Sequence, residues 1–206
     1  MDAGELIQRG VDHFGIPGSS AVVEKLHVYV SELDRWNRRV NLTGKEGTEP
    51  IIRELLYDAL FLFSTIERAG SLLDAGSGNG ILAITFACLD ENLHVYSVDK
   101  NLKKIQFQRH VKRSLGLQRL TLLHGRIEAL PPLNVDVALA KAFGKTDQVL
   151  NVLHPHLVQG GSVYLPRGTG DEREGSHRGY TPEKAFSYAL PESPKRYRLL
   201  QYKKIS

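Results

Sequence analysis

Residues 72–80, L-L-D-A-G-S-G-N-G, end an apolar run in an aspartate and follow it with three alternate glycines. Glycine lets the backbone turn tightly and approach a ligand closely, and a helix beginning behind such a turn presents free N–H groups. A nicotinamide dinucleotide fingerprint reads G-x-G-x-x-G. Here Gly76, Gly78 and Gly80 give G-x-G-x-G, and Ile81 stands where the last fingerprint glycine belongs. The spacing argues against NAD. Asp99 closes the next apolar run nineteen residues after Gly80, a place from which a carboxylate accepts hydrogen bonds from both ribose hydroxyls of an adenosine. A third loop, G-R-I-E-A-L, sets Ile127 and Glu128 where they could cover an adenine ring, although Glu128 alone also suits the start of a helix.

Other chemistries find little support. No Ser-His-Asp or Cys-His arrangement is apparent, and His154 and His156, separated by Pro155, are the one close histidine pair among eight histidines. No metal site is predicted. Cys88 is the single cysteine and lies in the apolar stretch I-L-A-I-T-F-A-C-L, so no internal disulfide forms and the residue reads as a small buried hydrophobe. The net charge of +4 is modest, but it is unevenly spread. Residues 101–127 hold seven Lys or Arg and no Asp or Glu, and P-K-R-Y-R-L-L-Q-Y-K-K-I-S adds five more basic residues. Lys103, Lys104, Arg109, Lys112 and Arg113 are therefore read as phosphate contacts to RNA, with a solvated helix face as the alternative.

The elements that must position these residues follow from periodicity. Val22, Leu26, Tyr29 or Val30, Leu33 and Trp36 keep helical spacing from Ser20 to Val40, with Ser19 or Ser20 as cap and Trp36 in the apolar stripe. After the polar N-L-T-G-K-E-G, Thr48 reads as the cap of a second helix with apolar positions from Ile51 to Ile66. From Ser71, strand-length runs (S-L-L-D-A, H-V-Y-S-V-D, L-T-L-L-H, V-D-V-A-L-A, S-V-Y-L-P) alternate with helical stretches at Ile81–Leu89, Leu102–Leu115 and Thr146–Leu153. This rhythm predicts an α/β fold with a doubly wound, mostly parallel sheet. Residues 1–69 are then an N-terminal helical extension and 70–206 one cofactor-binding unit. The stretch R-G-T-G-D-E-R-E-G-S-H-R-G-Y-T-P-E reads as a mobile loop, 183–189 as a short helix, and R-Y-R-L-L-Q-Y-K-K-I as a last strand added to one edge. The N-terminus M-D-A-G-E-L-I-Q-R-G lacks the pattern of a secretory signal, and no apolar run approaches the ~20 residues of a membrane helix, so a cytoplasmic protein is expected.

A glycine turn, a strand-end acid and a third loop in this order resemble the Rossmann-like class I methyltransferases. Within that class R-W-N-R-R-V-N-L-T-G, R-E-L-L-Y-D-A-L-F, L-L-D-A-G-S-G-N-G, K-K-I-Q-F, G-R-I-E-A-L-P and K-A-F resemble, in order, the glucose-inhibited division protein B family of small-subunit rRNA guanine methyltransferases. The similarity spans roughly Leu33 to Gly168. It implies S-adenosylmethionine as cofactor and ring nitrogen 7 of a guanine in the 16S rRNA of the small ribosomal subunit as acceptor; a monomer is expected. It also implies that Gly76, Gly78 and Gly80, with Asp74 and Ser77, bind the methionine end, that Asp99 binds the ribose, and that Ile127 and Glu128 lie along the adenine. Lys141 matches the arginine of the family's S-R-A-F motif and would face cofactor or target nucleotide. Asn41, with Thr43 in the N-L-T motif, is a further catalytic candidate, or both residues are caps.

Three positions depart from the pattern. Ile81-Leu82-Ala83 replaces the usual Phe-Pro-Gly, no histidine precedes Asp58-Ala59-Leu60, and Lys141 lacks the planar fork of an arginine. A relative with another methyl acceptor, or a ribosome-binding module without catalysis, are the competing functions.

Overall fold

The structure, a computed structural model, describes residues 2–67, 70–141, 144–168 and 177–205. Its first element, α1 (Ala3–His13), has no counterpart among the elements expected from periodicity. Asp2 Oδ1 accepts from the Glu5 amide at 2.9 Å while Glu5 Oε2 accepts from the Asp2 amide at 3.1 Å, a reciprocal cap. Helix α2 (Ser20–Val40) runs as predicted, with Ser19 at the cap position but without a side-chain cap bond. The second predicted helix is not uniform. It begins as α3 (Thr48–Pro50), with Gly47 rather than Thr48 at the cap position, widens to a π-helical segment over Ile51–Leu56, and returns to α-helix in α4 (Tyr57–Thr65).

The alternating segments then follow: β1 (Ser71–Ala75), α5 (Ile81–Leu89), β2 (His94–Asp99), α6 (Leu102–Leu115), β3 (Leu120–His124), β4 (Val135–Leu139), α7 (Thr146–Leu153) and β5 (Leu157–Gly168). Two strands close the chain, β6 (Tyr180–Ala189) and β7 (Arg196–Lys204). All seven form one sheet in the order β3-β2-β1-β4-β5-β7-β6. The first five pair in parallel, and β7 pairs antiparallel with both β5 and β6.

Two expectations are corrected here. Residues 183–189 are not a helix but most of β6, because pairing along β7 overrides the helix-forming Glu183, Lys184 and Ala185. The final strand is not at the edge. It lies inside the sheet, with Leu199, Leu200 and Tyr202 buried, and β6 takes the edge. Of the expected loop after β5, residues 169–176 fall outside the described residues.

The two faces of the sheet carry separate cores. On one, α2, α4, α5 and α6 bring Leu26, Tyr29, Leu60, Phe86 and Phe107 onto Leu72, Val137 and Tyr164. On the other, Val149, Leu150 and Leu153 of α7 cover Leu73, Ala138 and Leu165. Helices on both faces make the sheet doubly wound. Trp36 packs in the first core, its ring 5.6 Å from Phe107. Cys88 is buried there, and its apolar surroundings push the thiol up to about 12. Among the described residues, no helix is long and apolar enough to cross a membrane.

Candidate active site

Parallel strands deliver their C-terminal ends to one side of the sheet, and in open α/β sheets ligands bind there. At that side β1 ends in the glycine turn. Gly76 and Ser77 donate to the Val98 carbonyl of β2 at 2.9 and 3.0 Å, which stitches the turn to the neighbouring strand. Gly76, Gly78 and Gly80 all hold positive φ, at 73°, 61° and 81°, a region that costs other L-residues roughly 1–2 kcal/mol.

The glycines differ in what surrounds them. A Cβ on Gly78 would meet nothing nearer than the Lys104 ammonium at 3.8 Å, so open space lies beside this residue. A Cβ on Gly80 would come within 2.9 Å of Gln108 and Ile84. Gly80 is thus required by packing under the start of α5, whereas Gly78 leaves room for a ligand.

Three side chains hold the turn from behind. Gln108 of α6 donates to Ser77 Oγ and to the Gly78 carbonyl, both at 2.9 Å, and accepts from Ser97 Oγ at 2.6 Å. Tyr29 of α2 donates to the Asn79 carbonyl at 3.3 Å. Asp74 accepts from the Ala83 amide at 3.2 Å and is 2% exposed. Burial pushes its carboxyl up to about 7, helped by the Asp99 charge and opposed by the Ala83 hydrogen bond and the Lys141 charge.

Asp99 faces the turn at the end of β2. Its Oδ2 accepts from the Gly78 amide at 2.8 Å and its Oδ1 from the Asn101 amide at 2.7 Å. A cavity of about 330 Å³ opens beside it, lined by Gly76, Asp99, Lys104, Arg126, Ile127 and Glu128 among others. Four residues singled out in the sequence for the cofactor are thereby gathered round one space. Ser77, Gly78 and Gly80 belong to the turn beside it, and Asp74 points inward to α5.

Lys141 stands just beyond β4, the neighbour of β1 in the sheet. Its ammonium is paired with Asp58 of α4, whose other oxygen accepts from the Tyr188 hydroxyl at 2.7 Å. Ala142 and Phe143 of the same motif lie outside the described residues. Asn41 is set apart. It ends α2 in the left-handed conformation and, with Thr43, lines a separate depression beside Asn37 and Asp34. Asn37 holds that loop, its Oδ1 accepting from the Leu42 and Thr43 amides, each at 2.8 Å.

The five basic residues of α6 do not form one stripe. Lys103, Arg109 and Arg113 are exposed, Lys104 turns to the cavity, and Lys112 is half-buried and, after burial and Arg119, helps hold the His94 pKa below its ordinary value. Among the described residues, no group of three or more His, Cys, Asp or Glu could hold a metal ion.

Sequence reasoning missed Gln108, Asp58 and Tyr188. Gln108 offered one signal, a polar residue at helical spacing between the apolar Ile105 and Val111. Asp58 offered its place in the family-like R-E-L-L-Y-D-A-L-F but no sign of a partner, and Tyr188 offered none, because the two meet across 130 residues of chain.

The arrangement suits an adenosine-bearing ligand. Both Asp99 oxygens keep acceptor capacity after their backbone bonds, a turn without side chains lies on one side, and Ile127 gives an apolar wall. The family model described as "rRNA small subunit methyltransferase G" (GidB) matches residues 22–196. Proteins called ribosomal RNA small subunit methyltransferase G from Geobacter sp. (strain M21) and Geobacter metallireducens are 34% and 35% identical to this chain. They cover 85% and 84% of it, and the matches span 83% and 80% of their own lengths. In solved structures, a SAM-dependent methyltransferase from Aquifex aeolicus superposes with a TM-score of 0.56 at 17% identity, covering 77% of this chain and 94% of its own. TrmN from Thermus thermophilus gives 0.53 at 21% identity, over 82% of this chain and 53% of its own. These two show the fold.

Proposed function

This chain belongs to the rRNA small subunit methyltransferase G family, and on that premise we propose that it is an S-adenosylmethionine-dependent methyltransferase acting on ring nitrogen 7 of a guanine in 16S rRNA. The observation that carries the cofactor assignment is the open space at Gly78 beside Asp99 and the cavity reaching Glu128. The residues present fit the group. Gly76 and Gly78 would lie along its methionine end, Asp99 would accept from its ribose hydroxyls, and Ile127 with Glu128 would flank its adenine.

When bound, S-adenosylmethionine supplies a methyl carbon on a positive sulfur; the guanine nitrogen's lone pair forms the new bond, the C–S pair returns to sulfur, and the positive charge passes to the base. The nitrogen lone pair is already free, so the chain needs no general base, and its work is alignment and electrostatics. Gln108, Ser97 and Tyr29 keep the turn in place for that alignment. Exposed Lys103, Arg109 and Arg113 would meet RNA phosphates, giving affinity without sequence selection. The helical extension (1–69) and the sheet unit (70–206) act as one body, a reading supported by the core that runs from α2 and α4 onto the sheet; that body is proposed to work as a monomer in the cytoplasm.

The test is methyl transfer from labelled cofactor to small ribosomal subunits that lack the modification. Label recovered as 7-methylguanosine in 16S rRNA is expected. Cofactor binding without transfer to rRNA would point to another acceptor, and RNA binding without cofactor binding would leave only a ribosome-binding module.

A further inference from the structure

Asp58 is 1% exposed, yet it is charged and sits where three parts of the chain converge. It lies in the first turn of α4, directly after the π-helical segment Ile51–Leu56. Segments of that kind are rare and recur at functional sites, where the widened turn redirects the side chains that follow. One carboxylate oxygen receives the Lys141 ammonium from the end of β4, the other the Tyr188 hydroxyl from β6. The Tyr188 ring is itself fixed, stacked between Phe61 at 4.0 Å and Tyr197 at 5.3 Å. Burial, with the Asp58 charge behind it, raises the Tyr188 pKa far above its ordinary value, so the hydroxyl remains a donor.

Removing one member of a buried ion pair leaves an uncompensated charge, and apolar replacements often serve stability as well. Such a cluster is therefore weakly explained by stability alone. The Lys141 side chain, in contrast to Asp58, is 32% exposed, and an ammonium has three N–H donors, more than its bond to Asp58 uses. Leu139, two residues earlier, pairs with Asp74, and Asp74 is separated from the glycine turn by Ala75 alone. Lys141 thus leaves β4 beside the strand that carries the glycine turn, and its charge is felt at Asp74.

We propose that Asp58 and Tyr188 are positioning residues: they fix the Lys141 ammonium beside the acceptor base and cancel its charge. The inference rests on the rRNA methyltransferase reading. Methyl transfer leaves the base positive, so a bare lysine beside it would oppose the reaction, whereas a lysine neutralised by Asp58 can donate to an acceptor oxygen without that repulsion. Tyr188 fixes the carboxylate in turn.

The full-length protein and its Asp58→Asn, Tyr188→Phe, Lys141→Met and Asp58→Asn/Lys141→Met variants are assayed for methyl transfer to small subunits. Binding of S-adenosylhomocysteine and the rate at which acetic anhydride labels the Lys141 amine are also measured. Asp58→Asn and Tyr188→Phe are expected to lower kcat by at least ~10-fold, the scale of losing alignment of a reacting group, with KM for subunits and the S-adenosylhomocysteine Kd moved less than about threefold. Lys141 should label faster in both, and Asp58→Asn should add nothing to Lys141→Met. Unchanged kcat and labelling, or losses that multiply in the double variant, would overturn the proposal. If Asp58→Asn does not fold, Tyr188→Phe, which retains the ion pair's carboxylate, decides by the same readouts. A wild-type protein that transfers no methyl group would instead sink the rRNA reading, and Lys141 labelling would still decide whether Asp58 and Tyr188 hold the amine.

Discussion

Glycines of one motif do different work. Gly80→Ala should lower stability by about 1–3 kcal/mol, since its Cβ has no room in a backbone already at positive φ, and urea unfolding measures the loss. Gly78→Arg fills open space instead. It should abolish S-adenosylhomocysteine binding in calorimetry while far-UV circular dichroism stays native; unchanged affinity would move the site elsewhere. Asp74 carries a pH dependence. Its carboxyl is raised from 3.8 to about 7, so the folded state holds a proton that the unfolded chain releases. Its contribution is fully present below the unfolded value near 4 and is lost as pH rises through about 7, an effect of order 4 kcal/mol at 1.36 kcal/mol per pKa unit. Asp74→Asn should gain stability relative to wild type between pH 5 and 7.5, and parallel stability curves for the two proteins would contradict the assignment. At this scale the sequence was legible where residues crowd together, as in 72–80, and where a carboxylate ends a run, as at Asp99. It was silent for Asp58, Lys141 and Tyr188 as a cluster, because their meeting depends on a β6 strand that local pattern did not reveal.

Strongly periodic elements were readable, and α5, α6 and α7 have the bounds that their apolar spacing predicted. β6 was not readable because it is an edge strand with several exposed residues, and an alternation of buried and polar positions is what marks a strand. The π-helical turn before α4 has no sequence signature at all. For α6, charge reversal of the exposed Lys103, Arg109 and Arg113 to Glu should weaken RNA binding and reduce its salt slope by about one for each phosphate no longer neutralised, leaving cofactor affinity intact. Lys104→Glu should act the other way, weakening cofactor binding more than RNA binding, because this lysine lines the cavity. RNA affinity unchanged by the triple reversal at low salt would make the exposed side of α6 a solvated face.

The largest core joins the N-terminal helices to the sheet, so the molecule should unfold as one unit. Trp36, the only tryptophan, reports on the packing of α2 against α6 through its fluorescence, and circular dichroism reports on the whole; the two unfolding curves should coincide. Separated midpoints would show that 1–69 unfolds independently. The strand order also bears on how the protein is made. A translating ribosome produces β5 and then β6, but the two never pair with each other, since β7 lies between them. Until residues 196–204 emerge, the nascent chain carries two strands with open hydrogen-bonding rims, and an unpaired rim is a template for association with other chains. A stop codon shortly before Arg196 should therefore yield aggregate, for chaperones and proteases to clear, rather than a slightly shortened enzyme.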